Sequence, residues 1–388
     1  MRIRSRTRTP HVHRLCSPVL LLMLALVGVS TASRIDSVLG AMSLSEKIGQ
    51  MILVYHSPLE FLEEHRVGGV LIMQSMVKRP EELRRELDTI QRTLPVPLLV
   101  AIDQEGGKVN RLSPLQRWRN TPSAGQMAAW SADSIISYWS PAALELHALH
   151  INLNLAPVLD PAVNAYGEQT FIARRERSFG NGVERIVKPA MAFARAFTEN
   201  GTQCVAKHFP GYDAVTNSDH DIAVSSADSN WVASCVEAFV QMKPYISGVM
   251  MSSIQYEALS EKPAVFSPAM VGWARKTLGD VVVMTDDLWG TALRSYMLPG
   301  QRIHAVHYPD EAFGRLVREA VLAGNDMLMI TFPRKVPFMI ETITALADEN
   351  EQVRTHIDSA ARRILANKDR LGLLDRTGNG FGPRALAN

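Results

Sequence analysis

Eight short apolar runs recur along the chain, and most of them are continuously apolar rather than alternating. They are residues 48–55, 67–73, 97–103, 151–160, 202–209, 246–254, 281–287 and 326–331. Runs of this kind are typical of parallel strands, because such strands are buried on both faces of the sheet. Helical patterns separate the runs, as at 80–94, 183–200 and 231–246, and two further helices, 335–348 and 352–371, close the chain. Eight strand–helix alternations predict an α/β fold, the (β/α)8 or TIM barrel.

A doubly wound sheet is the alternative α/β fold. It requires a glycine-rich turn after its first strand, and the sequence has none there. No linker, repeat or low-complexity segment follows residue 40. We therefore expect a single catalytic domain over residues 34–388.

The first 33 residues have the pattern of a secretory signal peptide. Their charged residues are all arginines, and an apolar run at 18–29 is followed by small residues up to Ala32 and Ser33. The apolar run is too short to favour a permanent membrane span. We predict cleavage after residues 1–33 and an exported protein, periplasmic or extracellular. An uncleaved N-terminal segment that anchors the protein to a membrane is the alternative.

The charge of the remaining chain argues against nucleic acid as a partner. Removing the five arginines of residues 1–33 lowers the formal net charge from +2 to −3. The body then lacks the basic excess that phosphate binding requires. Cys204 and Cys235 lie in apolar segments, and we expect buried thiols rather than a disulfide. We further expect a monomer that needs no cofactor.

Polar side chains stand at the ends of five of the apolar runs. They are Asp103, Asp160, Lys207, His208, Ser252, Ser253, Asp286 and Asp287. The C-terminal ends of barrel strands carry the active sites of this fold. Two long loops, 104–130 and 161–180, follow strands at the same end. The pattern therefore predicts a site at one mouth of the barrel.

Several carboxylates beside a histidine and a lysine suit acid–base catalysis or attack by a carboxylate, as in retaining glycoside hydrolysis. A zinc hydrolase is the alternative. Its ligands would be drawn from His208, Asp213, Asp219, His220 and Asp221. The first run ends in Tyr55-His56-Ser57 and offers no paired-histidine motif, so we expect no metal.

Four motifs resemble glycoside hydrolase family 3: AIDQEGGKVNRL (101–112), RSFG (177–180), KHFPG (207–211) and MTDDLWG (284–290). The single-domain bacterial β-N-acetylglucosaminidases are the most similar branch, from residues 43–54 to 361–373. The resemblance implies a retaining exo-β-N-acetylhexosaminidase that releases terminal N-acetylglucosamine from cell-wall-derived or chitin-derived sugars. A β-glucosidase or related exo-glycosidase is the first alternative. A barrel that binds a glycan without turnover is the second.

The resemblance also assigns roles to residues. It implies that Asp286, which follows Thr285, is the nucleophile that forms a covalent glycosyl-enzyme. It implies a sugar-binding role for Asp103, Arg111, Arg177, Lys207 and His208. For Asp287, the position favours a cap on the following helix. Trp289 either stacks on a sugar or fills space under a loop.

The segment KHFPGYDAVTNSDHD (207–221) departs from the family pattern. The resemblance implies that His220 is the general acid/base. In the family an aspartate two residues earlier orients this histidine, whereas here the order is Ser218-Asp219-His220. A histidine acid needs an acceptor on its second ring nitrogen, and Asp213 or Asp221 are substitutes. Asp219 acting as the acid itself, and a loop without a competent acid, are the alternatives.

Overall fold

The computed structural model describes residues 34–217, 222–301 and 304–375. Eight parallel strands form one sheet: β1 (Ile52–Tyr55), β2 (Gly69–Ile72), β3 (Leu99–Ile102), β4 (Leu153–Asn154), β5 (Gln203–Phe209), β6 (Gly248–Met251), β7 (Val282–Met284) and β8 (Leu328–Ile330). Their order is β7-β6-β5-β4-β3-β2-β1-β8. A parallel bridge between Met284 and Met327 brings β7 against β8. The predicted (β/α)8 barrel is confirmed.

The strands are shorter than the apolar runs that predicted them. The first run began at residue 48, but residues 48–50 belong to a helix that ends at Gln50. A capping box between Ser43 and Glu46 fixes the start of that helix. Its last turn is apolar because it packs into the core. Apolarity alone therefore does not separate this turn from the strand that follows.

Helices follow the strands and cover the barrel. They are α1 (34–41), α2 (Leu44–Gln50), α3 (Leu59–His65), α4 (Pro80–Thr93), α5 (Ala124–Met127), α6 (Ala132–Ala148), α7 (Phe171–Arg174), α8 (Val183–Thr198), α9 (Ser229–Met242), α10 (Pro268–Leu278), α11 (Thr291–Met297), α12 (Asp310–Leu322), α13 (Val336–Glu349) and α14 (Glu351–Arg370). In α4, Leu83, Leu87 and Ile90 are buried. Their spacing of four and three residues puts them on one face, which packs on the barrel.

The last helix, α14, packs under the N-terminal ends of the strands. Asn367 donates from Nδ2 to the backbone oxygen of Ser247, which directly precedes β6, at 3.1 Å. Lys368 is fully buried and donates to Oε1 of Gln50 at 2.6 Å. This end of the barrel is therefore occupied by structural contacts, and the C-terminal end remains for a site.

The predicted signal peptide, including its apolar run at 18–29, lies outside the described residues. Within residues 34–217, 222–301 and 304–375, no helix combines the length and apolarity that a membrane span requires. Cys204 is buried and Cys235 is partly buried, and both are free cysteines.

Candidate active site

The loop after β3 begins with a short hairpin, residues 104–106 paired with 109–110, which fixes the direction of Glu105. Gly106 and Gly107 both have positive φ, at 96° and 57°. A Cβ at Gly106 would lie 2.2 Å from the backbone oxygen of Pro122. Glycine is therefore required at this position. The turn places Asp103 and Glu105 on the same side, where both meet a lysine from β5.

Lys207 and Glu105 form the centre of a buried charge network. Nζ of Lys207 lies 2.7 Å from Oδ1 of Asp103 and 2.7 Å from Oε1 of Glu105. Arg177 binds Glu105 with two parallel hydrogen bonds, of 2.8 and 2.9 Å. The side chains of Lys207 and Glu105 are only 4% and 6% exposed. Buried charges of this kind are stable only when they are paired and hydrogen-bonded.

The network shifts the pKa of its members. Burial alone would raise the pKa of Glu105, but the charges of Arg177 and Lys207 hold that pKa well below its usual range. Burial would lower the pKa of Lys207, yet Asp103 and Glu105 raise it above its ordinary value. Glu105 and Lys207 therefore stay ionised at neutral pH. They supply fixed charges rather than exchangeable protons.

Asp103 has access to solvent. Its side chain is 16% exposed, and Nη2 of Arg111 lies 4.0 Å from its Oδ2. Nε of Arg111 is buried and has no hydrogen-bond partner within the described residues. Asp103 and Arg111 thus offer an acceptor and donors at the edge of a rigid cationic cluster. That arrangement suits a ligand with several hydroxyl groups.

His208 is oriented by Asp160. Oδ2 of Asp160 lies 2.7 Å from Nδ1 of His208. Oδ1 of Asp160 accepts the backbone N–H groups of His208 and Tyr212 at 3.0 and 2.7 Å. Because the carboxylate accepts all of these bonds, Nδ1 carries the hydrogen and Nε2 is left for a ligand. Asp160 is fully buried, so it supports the site from behind.

Asp286 lies two residues beyond β7 and is partly exposed. Its Oδ1 accepts the backbone N–H of Asp287 at 2.7 Å.

Asp287 does not cap a helix, so that interpretation is wrong. It accepts from the backbone N–H of Trp289 and from the N–H and hydroxyl of Thr331, at 3.0, 2.9 and 2.6 Å, and ties the loop after β7 to the end of β8. Burial, helped by the charge of Asp286, raises the pKa of Asp287 to about 6.

Trp289 is only 8% exposed and does not present its ring at the mouth. It stacks on Phe332, with ring centroids 4.8 Å apart and planes 13° apart. Arg294 and Lys335 place their cations 5.1 and 5.5 Å from its ring. Of the two interpretations that the sequence left open, the structure supports packing under a loop.

Of the other polar residues at strand ends, Ser252 and Ser253 are buried, and the hydroxyl of Ser252 accepts the N–H of Ile254 at 3.1 Å. Asp213 is buried and accepts from the hydroxyl of Ser225 at 2.8 Å. Asp219, His220 and Asp221 lie outside the described residues, so their roles stay predictions. Over the described part of the chain, no group of three or more His, Cys, Asp or Glu side chains is arranged to hold a metal ion.

The model of the Glycosyl hydrolase family 3 N terminal domain matches residues 43–367. The chain belongs to glycoside hydrolase family 3. It is therefore a glycoside hydrolase, and the resemblance drawn from its motifs is confirmed.

Relatives within family 3 match most of the chain. A β-hexosaminidase from Alkalilimnicola ehrlichii is 29% identical over 294 residues, which cover 71% of this chain and 77% of the relative. The β-hexosaminidase LpqI of Mycobacterium tuberculosis is 27% identical, with 71% and 69% covered. The crystal structure of a β-N-acetylhexosaminidase from Beutenbergia cavernae superposes with a TM-score of 0.71 at 26% identity, covering 84% of this chain and 99% of that one.

The structure brings together Asp103, Arg111, Arg177 and Lys207, four of the residues that the family motifs suggested. Glu105 was not identified from the sequence, although it connects Lys207 with Arg177. The available signal was its spacing from Asp103. Residues two apart in extended backbone point to the same side, so Glu105 shares the environment of Asp103.

Proposed function

We propose that the protein is an exported, retaining exo-β-N-acetylhexosaminidase. It releases terminal β-linked N-acetylglucosamine from cell-wall-derived or chitin-derived sugars. The names of the family 3 relatives in Alkalilimnicola, Mycobacterium and Beutenbergia support this substrate class. The arginine-rich start and the apolar run at 18–29 support export.

One observation carries the proposal. Asp286 is a partly exposed carboxylate beyond the end of β7, at the same end of the barrel as the network of Asp103, Glu105, Lys207 and Arg177. A retaining glycosidase needs a carboxylate that attacks the anomeric carbon while the sugar is held in place. Asp103 and Arg111 bind the sugar hydroxyls, and the buried ion pairs behind them keep both groups in position.

The reaction follows the two-step course of a retaining enzyme. Asp286 attacks the anomeric carbon, the glycosidic C–O bond breaks, and the leaving oxygen takes a proton from the acid. Water then attacks the glycosyl-Asp286 ester and gives its proton to the same group, now acting as base. His220 is the proposed acid/base, and Asp219 is the alternative in the same loop.

The test compares two substrates on the mature protein, on Asp286→Ala and on Asp280→Ala. Asp280 is an exposed aspartate just before β7, at the opposite end of the strand, and serves as the matched control. We expect release of 4-nitrophenol from its β-N-acetylglucosaminide to be lost in Asp286→Ala and kept in Asp280→Ala. The second substrate is a β-linked N-acetylglucosamine disaccharide, whose leaving group needs a proton. Its hydrolysis by the mature protein therefore tests whether the protein supplies the acid.

Mass spectrometry after reaction with a slow fluorinated N-acetylglucosaminide identifies the nucleophile. The expected label lies on the peptide that contains Asp286. A label on another residue would overturn the assignment of the nucleophile. Faster turnover of β-glucosides than of β-N-acetylglucosaminides would overturn the proposed substrate, and binding of the sugar without any turnover would favour the glycan-binding alternative.

A further inference from the structure

A surface groove between the loop after β3 and helix α6 is lined by three aromatic rings. Trp118 comes from the loop, Trp130 directly precedes the N-cap of α6, and Tyr138 lies on α6 itself. The groove has a volume of about 690 Å³, within the range of ligand sites in proteins. The charge network of the candidate active site is built from other residues, so the groove is a separate feature.

Helix α6 has two faces with different partners. One face is buried in the core, through Ile135, Trp139, Ala142, Ala143 and Leu146. A second face lines the groove, through Ser134, Ser137, Tyr138 and Pro141. These four residues follow one another at spacings of three, one and three, which places them on one side of a helix. The helix therefore presents a continuous strip of ring and hydroxyl groups to the groove.

Tyr138 holds the three rings together. Its ring meets that of Trp118 edge to face, with centroids 6.1 Å apart and planes at 77°, and that of Trp130 with 5.6 Å and 72°. The indole N–H of Trp118 donates to the carboxylate of Glu145. Trp118 is 3% exposed and forms the floor, whereas Trp130 is 37% exposed. A large exposed ring that its neighbours hold in place is a preorganised surface on which a ligand can pack.

The polar groups of the groove suit a neutral ligand that carries hydroxyl groups. Ser134 and Ser137 are exposed and can each donate and accept a hydrogen bond. Arg117 and Asp133 carry opposite charges, so these lining residues add no net charge that would attract a phosphate or another polyanion. The guanidinium of Arg117 lies 4.8 Å from the centroid of the Trp118 ring.

Pro141 adds a backbone acceptor to the same surface. Proline has no backbone N–H, so the carbonyl oxygen of Ser137 lacks the hydrogen bond that residue 141 would donate within an α-helix. Both residues line the groove. A hydroxyl group of a ligand can donate to this oxygen.

The groove is fixed to the loop that carries Asp103. Nδ2 of Asn110 donates to the backbone oxygen of Trp118 at 2.7 Å. Oδ1 of Asn110 accepts from Nε2 of Gln104, the residue directly after Asp103, at 3.1 Å. One loop thus carries both the groove and the residue that is proposed to bind the sugar hydroxyls.

We propose that this groove is a second, non-catalytic glycan-binding site, which holds a polymer of β-linked N-acetylglucosamine by stacking on Trp130 and Tyr138. The choice of polymer rests on the proposed hexosaminidase function. A pyranose has apolar C–H faces that pack on aromatic rings, and hydroxyl groups at its rim that bond to neighbouring polar groups. A chain held here keeps its ends at a high effective concentration near the barrel, where an exo-acting enzyme needs them.

The experiment measures binding to insoluble chitin, a polymer of β-linked N-acetylglucosamine. Asp286→Ala serves as the background so that the polymer is not degraded, and Kd follows from the protein left in solution. Trp130→Ala removes the exposed ring, and Trp130→Phe keeps an aromatic face. Tyr166→Ala is the matched control, because Tyr166 is an exposed aromatic residue on the loop after β4. The same three substitutions in the active protein are assayed for kcat/KM on the N-acetylglucosamine disaccharide.

We expect Kd for chitin to rise about tenfold in Trp130→Ala, by much less in Trp130→Phe, and not at all in Tyr166→Ala. We expect kcat/KM for the disaccharide to stay unchanged in all three, which also shows that they fold. An unchanged Kd in Trp130→Ala, or no binding of chitin by the background protein, would overturn the inference. An equal loss of chitin binding and of disaccharide hydrolysis would overturn it too and assign the ring a structural role. Chitin binding that depends on Trp130, in a protein whose active form hydrolyses no N-acetylglucosaminide, would refute the proposed function and support this inference.

Discussion

At the scale of single residues, Glu105 determines how the site is held. It accepts from two cations that belong to different strand ends, Lys207 on β5 and Arg177 on the loop after β4. The side chains of Lys207 and Arg177 are 4% and 18% exposed, and each cation would be costly without a partner. Asp103 shares Lys207 but keeps an exposed edge. Glu105 thus balances the charges behind the site, and Asp103 is left to meet the sugar.

Glu105→Gln tests this role. The change keeps the size of the side chain but removes the negative charge that Lys207 and Arg177 share. We expect the free energy of unfolding to fall by roughly 3–5 kcal/mol, as when one partner of a buried ion pair is removed. We expect kcat/KM to fall about a hundredfold because Lys207 and Arg177 shift. The exposed Glu184→Gln is the control, and urea unfolding equal to that control would contradict the prediction.

At the scale of elements, the sequence predicts the strands better than the loops. Each strand lies within one predicted run, because a buried parallel strand needs continuous apolar residues. The loops depend instead on contacts between residues that are distant in sequence. Glu105 and Arg177 are 72 positions apart, and no local pattern records their bond. The sequence suggested that Asp287 caps a helix. Its actual partner, Thr331, is 44 positions away, and no local pattern records that bond either.

A prediction at this scale concerns Trp289 in the loop after β7. The ring packs between Phe332, Arg294 and Lys335, and so joins the loops after β7 and β8. We expect Trp289→Ala to lower the free energy of unfolding by about 3–5 kcal/mol. Trp289→Phe should restore much of it, and Lys276→Ala, at an exposed position on α10, should change it by less than about 0.5 kcal/mol. A higher KM in Trp289→Ala with unchanged stability would instead favour a ring that stacks on the sugar.

At the scale of the whole molecule, the two ends of the barrel have different roles. The C-terminal end carries charges that are paired across loops. The N-terminal end is covered by α14, which buries Lys368 with an amide as its hydrogen-bond acceptor. Among the described residues, Lys368 forms no ion pair. The helical pattern at 352–371 predicted α14 but not this burial, because lysine is normally exposed and the helix face that meets the barrel depends on the final packing.

Lys368 makes the stability of the whole barrel depend on pH. Burial lowers its pKa to about 7 in the folded protein, whereas an unfolded lysine has a pKa of about 10.4. Between these values the unfolded chain binds a proton that the folded protein does not, so stability rises with pH from about 7 to about 10. Below pH 7 the folded protein bears the full cost of a buried ammonium, up to roughly 5 kcal/mol.

Lys368→Met removes this cost at every pH, although it leaves Oε1 of Gln50 without its donor. We therefore expect the variant to gain a few kcal/mol of unfolding free energy over the unaltered protein at pH 7, and to lose that advantage by pH 10. Urea unfolding at pH 7, 8.5 and 10 measures the difference. Lys276→Met, which changes an exposed lysine on α10, provides the control for the loss of a charge. A gain that does not change with pH would mean that Lys368 keeps an ordinary pKa, and that α14 closes the barrel around a charged lysine.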